Sequence, residues 1–143
     1  MKKEVVSLRQ LKHARTKVAI MKVFIAALEK SRFDDISIRQ ICKSVEISEG
    51  TFFNYFPEKI DIVHFYMHAI LLRAVWNAQR VVPGENGVLL INALFEQLAL
   101  GIHNANIVYQ LIAALINRRE LPKNCVISAP EKKLLYGGCT GIE

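Results

Sequence analysis

Apolar residues recur at three-four spacing along almost the whole chain, and strict alternation is scarce. Ala14, Val18, Met21, Ile25 and Leu28 step by four and three residues, which is one face of a first helix ending near Lys30 or Ser31. Phe33-Asp34-Asp35-Ile36 is a short connection. Ser37, with Gln40 three residues on, predicts a capping box that opens a second helix from about Ile38 to Ser44 or Val45. After a tight Glu46-Ile47 connection, Ser48 is the N-cap of a third helix, about Glu49 to Tyr55. Phe56-Pro57 stops that helix, because the residue before proline is pushed out of helical geometry. A long fourth helix, about Glu58 to Arg80, carries two apolar faces: Ile60, Val63, Met67, Ile70 and Ala74 on one, Ile62, Tyr66, Ala69 and Trp76 on the other. Such a helix is expected to be packed on both sides. Val82 to Gly87 is a turn cluster, followed by a fifth helix (about Val88–Leu100) and a sixth (about Ala105–Arg119). Arg118 and Arg119 stand where cations favour a helix end, and Leu121-Pro122 closes the pattern. From about residue 123 it decays into what reads as a frayed tail.

Composition narrows the class. The 143 residues are 52% apolar and 22% charged, so the chain can build a core. The net charge of +6 is one-sided: residues 1–80 hold 14 Lys/Arg against 8 Asp/Glu, while the remainder is balanced. That asymmetry favours an acidic partner for the first half. Cys42, Cys125 and Cys139 are too scattered for a disulfide framework, and free thiols suit a reducing compartment, the cytoplasm. The uncharged run 97–117 contains Gln97, His103, Asn104, Asn106, Gln110 and Asn117, which suits a buried helix pair split near Asn104 and not a membrane span.

Three helices, the last two joined by a very short turn under a basic surplus, make a homeodomain-like helix-turn-helix arrangement. The expected fold is all-α: this unit (residues 1–57), then the long fourth helix leading into a small helical region (58–143). The run Ile38-x-x-Ile41-Cys42-x-x-Val45-x-Ile47-Ser48-x-Gly50-Thr51-Phe52-Phe53-Asn54-Tyr55-Phe56-Pro57-x-Lys59 resembles the DNA-binding domain of the TetR family of bacterial transcriptional regulators, over about residues 12–65. The later part is similar to that family only in being helical and apolar. It is short of the helices that members use to sense ligands and to dimerise, so an incomplete region of that kind is expected.

The resemblance implies a sequence-specific DNA-binding regulator, a ligand-responsive repressor working as a homodimer on a palindromic duplex site, with no catalysis and no cofactor. An alternative is a shortened regulator that reads no DNA and pairs with a full-length partner. The second helix would brace the backbone and the third would enter the major groove. Ser48 caps the third helix and reaches phosphate. Gly50 allows close backbone approach, and Thr51 donates to phosphate. Phe53 and Tyr55 touch sugars or thymine methyls, and Asn54 meets a base edge. Arg39 reads guanine or clamps the backbone, and Lys59 anchors a phosphate. Lys12, Arg15, Thr16, Lys17 and Ser37 add backbone contacts.

Four positions depart from the family pattern. Glu46 and Arg32 stand where glycine is common, so a left-handed backbone at Glu46 would carry strain. Phe53 replaces a frequent Tyr. Glu49 suits the helix dipole but repels phosphate unless it accepts from a cytosine amine. Rival sites are weaker. His64 and His68 have the i, i+4 spacing of a metal pair but no third ligand, so no metal site is assigned. His13 is expected at phosphate or in solvent. Trp76, Phe95, His103 and Tyr109 are candidate linings of a pocket for a small apolar effector, oriented by Gln97 or Asn106.

Overall fold

The computed structural model describes residues 6–82, 84, 86–101, 104–118 and 126–136. It is all-helical over these, with no strand among the described residues. The elements are α1 (Leu8–Leu28), α2 (Ile38–Val45), α3 (Glu49–Tyr55), α4 (Lys59–Val81), α5 (Gly87–Gly101), α6 (Ala105–Arg118) and α7 (Ala129–Tyr136).

Each helix start has a local cause. Ser7 opens α1 with a reciprocal capping box: its hydroxyl accepts from Gln10 N–H at 3.2 Å while Gln10 Oε1 accepts from Ser7 N–H at 2.8 Å. Ser37 occupies the N-cap of α2 but makes no side-chain cap bond, so the capping box expected there is absent. Glu58 opens α4, and its N–H donates to the Asp61 carboxylate at 2.9 Å. Glu46 ends α2 with φ 59° and ψ 46°, the strained left-handed turn expected for it, and its N–H reaches the Cys42 and Lys43 carbonyls.

α1 and α4 form the centre. α1 is covered by α2, α4, α6 and α7, and α4 by α1, α5, α6 and α7. The core is aromatic near α2 and α3: Phe24, Phe52, Phe56 and Phe65 are fully buried, with Phe24 edge-on to Phe33 and Phe56 edge-on to Phe65, both at 5.8 Å. Ile107 and Leu111 of α6 belong to the same buried cluster as Ile41 and Phe52, so apolar packing is continuous from the first three helices into the later ones. On α4 the N-terminal half is buried nearly all round, whereas beyond it Ala74 and Ala78 face α5, which buries Ala93. Met67, assigned to a packed face, is 37% exposed.

Two expectations need correction. The segment after 123 is not all frayed, because α7 docks on α1 and α4. Ile127 is buried, Glu131 is 2% exposed, and the Tyr136 hydroxyl donates to the Ala69 carbonyl at 2.9 Å. Apolar spacing missed this helix because it is short and three of its eight residues are charged. The α5–α6 pair is split at Asn104, whose side chain accepts from Asn106 N–H at 3.0 Å, but it is packed on one side only. Val88, Ile91, Phe95, Tyr109, Ile112 and Ile116 are all exposed. No single described helix is long and apolar enough to cross a membrane; α5 and α6 pass only jointly and meet at 107°.

Candidate nucleic-acid interface

α3 is a seven-residue helix anchored through one side chain, the fully buried Phe52. Its start is fixed by Ser48, whose hydroxyl accepts from Thr51 N–H at 3.1 Å and lies 2.8 Å from the Thr51 hydroxyl. Ser48, Glu49, Gly50, Phe53 and Asn54 are exposed, and among the described residues the main helix partner of α3 is α2. Phe53 is held edge-on against Phe52 at 5.4 Å with 44% of its surface in solvent.

Gly50 is the informative position. Its backbone has no positive φ, and an added Cβ would meet only the Ser48 hydroxyl oxygen, at 3.9 Å. Nothing inside the protein requires glycine here, and glycine costs a helix about 1 kcal/mol relative to alanine. The bare backbone is turned outward on an exposed helix.

The other expected contacts divide. Arg15 and Arg39 are exposed on α1 and α2, as is Lys12, and Thr16 is half-buried with its hydroxyl donating to the Lys12 carbonyl at 3.1 Å. Tyr55 is half-buried, and its ring lies 4.5 Å from that of His13. This contact brings the N-terminal half of α1, with its cations, beside the end of α3. His13 is exposed, as expected, and its ring also forms part of this junction.

Two lysines do not join the surface. Lys17 is paired with the buried Glu131 at 3.3 Å and lies 4.4 Å from the Phe65 ring centre. Lys59 donates to the carbonyls of Phe33 (2.7 Å), Ile36 (3.2 Å) and Asp34 (3.3 Å), above the Phe33 ring. The ammonium group has three N–H bonds, and three carbonyls occupy them. Lys59 therefore pins the loop before α2, and the phosphate contact expected of it would cost those bonds. The motif spacing located both lysines, but it held no sign of the segments that cover them.

Scans of family models, curated proteins and solved structures return no match to this chain. The remaining sites rest on geometry alone. Burial, with Glu49 adding to it, pushes the pKa of the Cys42 thiol up, which keeps that thiol protonated. His64 is 3% exposed, and neither ring nitrogen has a hydrogen-bond partner among the described residues. No group of three metal-ligating side chains is found among them.

Of the four expected pocket residues, the three that are described line no common cavity. Trp76 stacks on Arg80 at 4.5 Å, Phe95 is 66% and Tyr109 73% exposed, and His103 lies outside the described residues. Two hydrogen bonds that the sequence did not announce run instead from α6 to the helix-turn-helix segment. Gln110 accepts from Phe33 N–H at 2.9 Å and donates to the Leu28 carbonyl at 3.0 Å. The one signal was a carboxamide inside an apolar helix that carries no charge before its last residue.

Proposed function

We propose that this protein is a sequence-specific duplex-DNA-binding regulator of the TetR type, a repressor that acts as a homodimer in the cytoplasm without catalytic chemistry. The observation that carries this is Gly50: a glycine with no internal reason, on the exposed first turn of α3, flanked outward by Ser48, Thr51, Phe53 and Asn54. A missing side chain there favours close backbone approach to phosphates. Arg15, Arg39 and Lys12 supply screened positive charge around it, and Asn54 is the candidate for a base edge.

The second copy is supported by α5 and α6. Their outer stripes, Val88, Ile91 and Phe95, and Tyr109, Ile112 and Ile116, repeat at helical spacing and leave large apolar side chains in solvent. Faces of this kind are uncommon on monomers, and a twofold pair would cover them and present two copies of α3 to two half-sites. The same face would serve the alternative, a module that pairs with a longer relative and reads no DNA.

Selection from a pool of random duplexes separates the two. Enrichment of an inverted repeat supports the regulator. A pool that stays random, with retention no better than for a protein of equal charge, supports the pairing module.

A further inference from the structure

A cavity of about 350 Å³ opens between α1, α4 and α7. Its walls are apolar: Met21 and Ile25 from α1, Ala69 and Ile70 from α4, Leu135 from α7. Its polar groups are few and all at known positions. Lys22 on α1 and Arg73 on α4 are exposed and therefore stand at the mouth, opposed by one carboxylate, Glu29. The mouth thus carries a net positive charge. Two phenols face the same space. Tyr136 is committed to the Ala69 carbonyl. Tyr66 is half-buried.

An apolar body with one anionic end fits this lining. Guanidinium and ammonium groups bind a carboxylate through charge-assisted hydrogen bonds, and a neutral phenol adds a further donor. Burial, reinforced by Glu29, raises the ionisation of Tyr66, so the phenol stays a donor at neutral pH. The size suits a short ligand: the cavity holds the volume of roughly a dozen waters. A smaller hollow of about 190 Å³, against α6, shares Ile25, Glu29, Tyr66 and Ile70 with it and gives an apolar tail room to continue along Ile25 and Ile70.

We propose that this cavity binds small monocarboxylates with an aliphatic or aromatic body, the carboxylate held at Arg73 and Lys22 and the body lying along Met21, Ile25 and Ile70. None of its lining residues belongs to the pocket expected from sequence, and the site does not depend on DNA binding. Two of the lining residues, Leu135 and Tyr136, belong to α7, so an occupied cavity holds α7 against α1 and α4.

The probes are octanoate, octanol and octylamine, titrated calorimetrically into the full chain at neutral pH without DNA. The expected result is saturable one-to-one binding of octanoate, about tenfold weaker binding of octanol for loss of the charge-assisted bonds, and no binding of octylamine. Arg73→Gln should bring octanoate down to the level of octanol. Ala26→Trp, at an exposed lining position, should block both while leaving the circular dichroism and melting temperature unchanged. Should Arg73→Gln lower the melting temperature, Lys22→Gln provides the same comparison from α1. Absence of saturable octanoate binding, equal binding of acid and alcohol, or binding that survives Ala26→Trp would each overturn the proposal.

Discussion

The side-chain carbonyl of Gln110 accepts from the backbone N–H of Phe33, 77 residues earlier, at 2.9 Å. The same carboxamide donates to the Leu28 carbonyl, so one residue of α6 satisfies the end of α1 and the loop ahead of α2. Lys59 of α4 holds three other carbonyls of that loop. The orientation of α2 and α3 is therefore fixed from two later helices through polar contacts, not by apolar packing alone. Gln110→Leu removes both hydrogen bonds and should cost about 1–3 kcal/mol in denaturant unfolding. Gln110→Glu, which keeps the acceptor, should lose less.

Lys59→Met removes three hydrogen bonds to loop carbonyls, two of them part-buried. A loss of about 2–3 kcal/mol is expected, with faster amide exchange at residues 33–36. Unchanged stability would return Lys59 to the surface role that its place in the motif suggested.

Glu46 adopts φ 59°, a conformation that costs a side chain with a Cβ about 1 kcal/mol. Glu46→Gly should raise the unfolding midpoint without changing its denaturant slope. This strain was legible before the structure through the resemblance alone, because Glu46 stands where glycine is common in the family pattern.

His64 supplies a second gain. Its two nitrogens are buried with no partner among the described residues, which carries a desolvation penalty of about 1–3 kcal/mol. His64→Leu is therefore expected to melt higher than the parent chain, as a thermal scan would read.

Tyr136 is pushed up to about 12 by burial, with Arg73 acting in the opposite direction. An acid whose folded ionisation lies above its unfolded value stabilises the fold fully below about pH 10 and loses that contribution between there and about pH 12. Alkaline titration should release α7 in that window, read as tyrosinate absorbance coinciding with loss of helix signal. Tyr136→Phe should leave the docking of α7 insensitive over the same range.

What the sequence disclosed divides along a physical line. Helical periodicity and the Ser48 and Pro57 punctuation placed α2, α3 and α4 to within a residue or so, because they depend on neighbours three and four positions away. The exposed face of α3 followed from the same spacing. The fate of Lys17 and Lys59 did not, since it depends on Glu131 and on carbonyls in another segment. α7 was hidden for the same reason: its stability comes from docking on α1 and α4 and not from its own amphipathic pattern. The exposure of Phe95 and Tyr109 was not legible, because large side chains in an apolar helix say nothing about which side is covered; α5 packs on α4 and buries Ala93, leaving Phe95 outward.

The central claim is that the bare first turn of α3 approaches DNA. Its most direct test compares the parent chain with Gly50→Ala on a selected duplex over a series of salt concentrations. The account predicts a logarithmic fall of affinity with salt, with a slope of about −0.9 per phosphate contact. It also predicts that Gly50→Ala folds more stably, by up to about 1 kcal/mol, yet binds the duplex at least about tenfold more weakly. Binding that is absent, indifferent to salt, or unchanged by the added methyl group would contradict it.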